Sequence, residues 1–191
     1  MDRYEIKFKS DNVLELGGGA RPLPFPHTNM DIRKADKVDV VHDFEVFPYP
    51  IEANKFDGLY SAYVIEHITW HNIEKFIGEC FRVLNQGGKA VLLTANLLEQ
   101  CKKVINEGVN PITIETLFGA QEFPDHAGCH KTGFSPEYAK KLFEDAGFTN
   151  VQVFAPMPDV IYGNYVIYPH CVTDMVIQAE KPEPNLEVHI T

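Results

Sequence analysis

Hydrophobic and polar positions along this chain of 191 residues switch between two periods, and each switch marks an element. Val13 to Leu16 is a short apolar run around Glu15 that reads as a buried strand, and it stops at Gly17-Gly18-Gly19. Three residues without a Cβ can turn sharply and let a ligand lie against bare backbone N–H groups. The turn follows the carboxyl end of its strand, where open parallel sheets bind ligands. Further strands are predicted over 28–32 (ending near Asp31), over 38–42 (ending before Asp43), over 56–61 and over 89–94. The last of these is apolar enough to be buried on both faces. Trp70, Ile73, Phe76, Ile77, Cys80, Phe81 and Leu84 recur at helical spacing. The spacing predicts an amphipathic helix over 69–84, closed by Gly87 and Gly88.

A second helix is predicted at 97–106, inside a loop-rich insertion of about 95–133 that would cover an acceptor site. A third starts at Ser135-Pro136, with serine as N-cap and proline at the first helical position, and stops at Gly147. Residues 151–155 and 173–180 read as two closing strands, expected as antiparallel neighbours at one edge. Residues 1–12 are polar and short, an edge strand or a lead-in loop. Strands alternating with helices, then a closing pair, indicate a three-layer α/β fold. Two connections break the alternation. Pro22, Pro24 and Pro26 follow the glycines, and Pro48 and Pro50 interrupt the segment after Asp43. Proline removes donors and restricts its predecessor, so regular helices are not expected there, and one sheet face should carry less helix cover than usual.

Composition narrows the function classes. The length suits one domain, placed at 1–181 with a loose tail at 182–191. Apolar content of 45% and charged content of 23% are ordinary for a soluble globular protein. A net charge of −10 argues against nucleic acid or an anionic membrane as partner. Cys80, Cys101, Cys129 and Cys171 show no C-x-x-C spacing and no disulfide framework. The N-terminus lacks an apolar signal core, and no stretch is long enough to span a bilayer. A cytoplasmic setting is expected. His126, Cys129 and His130 form H-x-x-C-H. No second cluster accompanies them, and structural zinc takes four ligands, so no metal is expected.

Taken in order, several motifs carry a resemblance. They are L-G-G-G-A-R-P, N-M-D, V-V-H-D, Phe56-Asp57, E-H-I at Glu66 to Ile68 and R-V-L-N-Q-G-G, followed by L-F-G-A-Q-E-F-P, H-K-T-G-F-S and A-G-F. Together they resemble a class I S-adenosylmethionine-dependent methyltransferase over about residues 13–180. They are similar in particular to small methyltransferases of bacteria and phages of the methyltransferase-11-like type. The resemblance implies a Rossmann-like three-layer sandwich with a mostly parallel seven-stranded sheet, an antiparallel last strand, and reduced helix cover after strands 1 and 3. It implies S-adenosylmethionine as cofactor and S-adenosylhomocysteine as product.

Within that resemblance, Gly17, Gly18 and Gly19 offer the turn for the amino-acid end of the cofactor, with Glu15 supporting it or reaching the ammonium group. Asp31, followed by Ile32, is placed to accept the ribose hydroxyls, as in dinucleotide folds. Asp43 can accept from the adenine amino group while Phe44 covers the ring; capping of strand ends is the plainer role for both acids. Ser61, Ala62 and Tyr63 would line the methyl-transfer mouth. Arg21 stands where the broader family often has a third glycine, and with no helix behind the turn it could neutralise the cofactor carboxylate in place of a helix dipole.

Transfer by in-line displacement depends mainly on proximity and orientation. A hydroxyl acceptor needs a base, for which His130 and His67 are the candidates, whereas a nitrogen or carbon acceptor can do without one. Glu66 and His67 also suit a helix cap, and His130 also suits loop packing. The expected acceptor is a small molecule or saccharide-like compound, methylated on O or N, with a homodimer formed across the thinly covered sheet face. A nicotinamide-dependent oxidoreductase fits less well, because G-x-G-x-x-G fails at Pro22. A catalytically silent module that binds S-adenosylmethionine or S-adenosylhomocysteine, or a partner subunit, is the rival from another class.

Overall fold

The computed structural model describes residues 3–24, 27–121 and 128–184; Pro26, His126 and the tail beyond residue 184 lie outside them. In chain order the elements are β1 (Arg3–Glu5), β2 (Val13–Leu16), β3 (Thr28–Asp31), β4 (Val40–Val41) and β5 (Phe56–Ala62). A 3₁₀ turn at Ile65–His67 precedes α1 (Ile73–Val83) and β6 (Leu84–Ala95). Next come α2 (Leu97–Glu107), α3 (Pro111–Phe118) and α4 (Pro136–Asp145), then β7 (Thr149–Phe154), β8 (Asp159–Tyr162), β9 (Tyr165–Tyr168) and β10 (Asp174–Glu180).

Seven strands form the main sheet in the order β4-β3-β2-β5-β6-β10-β7. The pairs from β4 through β6 are parallel, and β10 runs antiparallel to both β6 and β7. The expected fold class holds, with one refinement: β7 is the edge strand, and β10 lies one place in. Alternation along the strands sorts side chains to two faces. Leu14, Leu16, Met30, Leu59 and Leu92 face Phe76, Ile77 and Cys80 of α1 and Leu142 and Phe143 of α4. Val13, Tyr60, Val91, Leu93 and Val176 face the other way, onto Tyr4, Ile6 and Val160.

That second layer is a small sheet in the order β1-β8-β9, in which β1 runs parallel to β8 and β8 antiparallel to β9. The connection through Pro22 and Pro24 sends Leu23 onto this face without a regular helix, and the chain's own second sheet covers it; the Pro48–Pro50 segment packs on the α1 face instead. Self-pairing across a bare sheet face therefore loses its basis. Residues 1–12 supply β1 to this small sheet rather than an edge to the main one. The hairpin β8–β9, joined by Gly163 (φ 56°) and Asn164, and helix α3 within the insertion are further elements that the sequence reading lacks.

Helix α4 forms as expected: the Ser135 side chain accepts from the Tyr138 N–H and Pro136 occupies the first turn. α1 ends at Val83, before the glycines, and β6 runs through Gly87 and Gly88 with a register break opposite Phe56 to Gly58. Two polar clamps hold the C-terminal end of α1. Arg82 bonds Glu79 (Nε to Oε1, 2.7 Å) and reaches the carbonyl of Ile51 (2.8 Å), while Glu79 accepts from the Tyr49 N–H (2.7 Å). The proline-broken segment is thereby tied to the helix. Lys181 is buried and its ammonium donates to Phe81 O (2.9 Å), Leu84 O (2.8 Å) and Asn54 Oδ1 (2.8 Å), caring for carbonyls that a helix end leaves open. No disulfide joins the four cysteines. Among the described residues no helix is long and apolar enough to cross a membrane.

Candidate active site

The carboxyl ends of β2 to β5 enclose a cleft of about 370 Å3 lined by Gly17, Asp31, Ile32, Asp43, Phe44 and Tyr63, and also by Arg33, Glu45, Val64, His67 and Lys131. Its floor is the glycine turn. Gly17 has φ 82°, and a Cβ there would collide with Val64 Cγ2. A Cβ on Gly18 would come within 2.7 Å of Asn29 Oδ1. Side chains are therefore excluded from the place where the backbone must be bare.

Asp31 is buried at the end of β3 and accepts from Gly19 N (3.0 Å) on Oδ2 and from Arg33 N (2.8 Å) on Oδ1. A carboxylate has about four acceptor sites, so capacity remains for ligand hydroxyls. Asp43 accepts from the Glu45 N–H (2.9 Å), fixing the next loop, and Phe44 is packed edge-on to Phe76.

Other predicted residues lie elsewhere. Glu15 turns to the opposite face, where it accepts from Leu23 N (2.8 Å) and lies 2.6 Å from His27 Nε2. It supports the turn and does not line the cleft. Arg21 is exposed outside the turn, its N–H bonded to Gly18 O (3.1 Å), so the cations on the cleft wall are Arg33 and Lys131 instead. Ser61 is buried with its hydroxyl on Leu16 O (3.3 Å), and Ala62 packs into the second core; only Tyr63 of that trio reaches the cleft.

A second pocket of about 450 Å3 opens on the far side of the 3₁₀ turn, under α3, and is lined in part by Tyr63, Glu66, His67, Glu115, His130 and Asp174. Tyr63 and His67 line both cavities. The N–H groups of Lys131 (2.8 Å) and Thr132 (3.1 Å) donate to Glu66 O, so a segment far along the chain lies against the turn and brings His130 beside His67. The two rings stand 5.1 Å apart at 63°. His67 Nδ1 is 2.9 Å from Cys129 O, and an imidazole facing a carbonyl must donate, which leaves Nε2 with its lone pair.

Burial lowers the pKa of His67, and burial with the neighbouring His67 charge lowers that of His130. Burial pushes the Glu66 carboxyl up to about 7, although it accepts from Thr94 Oγ1 (3.0 Å). Glu66, Arg33, Glu45, Lys131, Glu115 and Asp174 are among the lining residues that sequence reasoning did not assign to the site. Glu66 was visible in E-H-I; Asp174 opens the last strand with no motif to mark it.

Residues 27–92 match the family model described as a methyltransferase domain. No curated protein matches the chain in sequence. In fold the chain is similar to a SAM-dependent methyltransferase from Archaeoglobus fulgidus, with a TM-score of 0.61 and 16% identity over 91% of this chain and 87% of that one. It is similar to a SAM-dependent methyltransferase from Methanosarcina mazei, with a TM-score of 0.58 and 15% identity over 92% and 95%. It is also similar to CurJ carbon methyltransferase, with a TM-score of 0.57 and 18% identity over 90% of this chain and 48% of that one. The chain thus spans about half the length of that last protein.

Proposed function

We propose that this chain is a class I S-adenosylmethionine-dependent methyltransferase that methylates a small-molecule or saccharide-like acceptor on oxygen or nitrogen. One observation carries the reading: the cofactor-sized cleft and the second pocket share Tyr63 and His67 as a common wall. The residues present fit the cofactor. The bare backbone at Gly17 to Gly19 suits its amino-acid end, Asp31 its ribose, and Asp43 with Phe44 its adenine. When bound, S-adenosylmethionine supplies a methyl group already made electrophilic by the sulfonium.

What remains for the protein is positioning. The Tyr63 hydroxyl is held by Asp174 (2.7 Å), which fixes the side chain between the cavities. His67 donates from Nδ1 to a backbone carbonyl, so its Nε2 can accept the proton of a hydroxyl acceptor, with His130 as the alternative acceptor beside it. Incubation with S-adenosylmethionine and a panel of sugars, phenols and amines, read as S-adenosylhomocysteine formed, tests the reading. Turnover with one acceptor, lost in His67→Ala, is expected.

A second reading, a partner subunit without turnover, is favoured by the apolar surface of α2–α3, where Ile105 is 80% and Val109 76% exposed. Cofactor binding without turnover on any acceptor, together with a stable hetero-complex, would select it.

A further inference from the structure

We propose that Glu66, His67 and His130 bind one divalent transition-metal cation at the wall of the second pocket. The three residues each offer one ligand atom, and these atoms lie within 4.8 Å of one another. A cation with metal–nitrogen and metal–oxygen bonds of about 2.1 Å wants neighbouring ligands about 3 to 3.4 Å apart. A bound cation would draw the three side chains together across that gap.

Three further observations separate this cluster from an accidental one. First, it is built. The backbone N–H groups of Lys131 and Thr132 bond to the carbonyl of Glu66 itself, and the His130 N–H bonds to Phe118 O (3.0 Å). The 3₁₀ turn and the 130–132 segment are thus locked together at the point where the ligands converge. Second, the outer atoms are arranged as they are around bound metals. His67 spends Nδ1 on Cys129 O, which fixes the ring and leaves Nε2 as the ligating atom. The Glu66 carboxylate is buried and oriented by Thr94 Oγ1. Third, the pocket side of the cluster is acidic, while Arg33 and Lys131 stand on the cleft side of His67. Glu66, Glu115 and Asp174 line the pocket, and among the described residues neither lysine nor arginine does.

Two imidazoles and one carboxylate form a nitrogen-rich set suited to Zn, Co, Ni or Mn and poorly suited to Mg, which prefers oxygen and water. The remaining coordination positions would face the pocket that holds the acceptor. With a cation in place, the two histidines hold metal instead of taking a proton. The assignment is read without cofactor or acceptor, so its failure leaves the proposed methyl transfer standing, and its success moves only the base role away from the two histidines.

The test is titration of the untagged 191-residue chain with Co2+, followed by its visible d–d absorption, with Zn2+ as competitor. One saturable equivalent is expected, displaced by Zn2+ and retained in a hundredfold excess of Mg2+. His130→Ala should weaken binding at least tenfold, and so should the conservative Glu66→Gln, with far-UV circular dichroism as the fold control. The double variant His71→Ala/His170→Ala, at two exposed histidines, should bind as wild type. Absence of a saturable band, unchanged affinity in folded His130→Ala, loss of binding in the surface double variant, or displacement by Mg2+ would each overturn the assignment.

Discussion

The Tyr63 hydroxyl donates to Asp174 Oδ2 at 2.7 Å, joining the end of β5 to the start of β10 across 111 positions of sequence. Tyr63 holds this bond from a left-handed backbone conformation, φ 55°, which bulky residues rarely adopt. Such a residue stays in place only where its surroundings hold it, and here they comprise Asp174 and the edge of Tyr168 at 5.5 Å.

Tyr63→Phe removes the hydroxyl and leaves a half-buried carboxylate without that donor. A loss of about 1–2 kcal/mol is expected, the cost of an unpaired buried polar group. The urea midpoint measures it. A midpoint equal to wild type would show that the bond does not hold the wall.

At Gly17 both backbone angle and space forbid a side chain. Gly17→Ala should destabilise the protein by about 1–3 kcal/mol and weaken cofactor binding. Adding Val64→Ala removes the collision but not the strain, so Gly17→Ala/Val64→Ala should recover part of the loss and not all of it. Full recovery would mean that φ at this position is unimportant.

The Glu79–Arg82 clamp gives a pH signature. Burial works to raise the Glu79 pKa, but the hydrogen bonds from Arg82 and the Tyr49 N–H outweigh it, and the net value lies below the ordinary 4.5. A group whose folded pKa is depressed stabilises the fold above its unfolded pKa and loses that contribution as pH falls through the folded one. Acid unfolding of wild type should therefore draw stability from Glu79 between its ordinary value and lower pH. Glu79→Gln should flatten that limb of the stability curve while lowering stability at pH 7. Parallel wild-type and variant curves below pH 4.5 would remove the clamp from the account.

Lys181 closes the last core strand onto the end of α1. Lys181→Met keeps the stem but abandons three acceptors, and a loss of about 2–3 kcal/mol is expected, read as a fall in Tm. An unchanged Tm would mean that water replaces the ammonium at no cost.

Periodicity made the layer that carries the cleft legible. Val13 to Leu16 appears as a strand with the predicted bounds and Asp31 ends β3, whereas the strand expected over 38–42 shrinks to Val40–Val41 and leaves Asp43 in the loop beyond it. The small sheet was illegible for a physical reason. β1, β8 and β9 are 3 to 4 residues long with at most one buried residue each, whereas all four residues of β2 are buried, and one pairing spans most of the chain. Its turn, Gly163-Asn164 between two tyrosines, was the readable signal.

Helix α3 was legible in its ends, with Asn110 as cap, Pro111 in the first turn and Gly119 after it. Its β-branched interior, Ile112, Thr113, Ile114 and Thr116, obscured it. At the site, E-H-I and His130 each drew notice alone. Their convergence depends on backbone bonds between Glu66 and residues 131–132, a long-range pairing that no local pattern encodes. Arg21 shows the reverse error: a charge at the right place in sequence can point out of the fold.

The central claim is that Asp31 and the glycine turn hold S-adenosylmethionine. Calorimetric titration with S-adenosylmethionine, S-adenosylhomocysteine and NAD, on wild type and on Asp31→Ala, tests it most directly. Binding of both sulfur compounds but not NAD, weakened at least tenfold by Asp31→Ala, is the predicted result; about 1.5–3 kcal/mol for hydrogen bonds to a charged group corresponds to roughly ten- to a hundredfold. Binding of NAD instead, or S-adenosylmethionine affinity unchanged in Asp31→Ala, would contradict it.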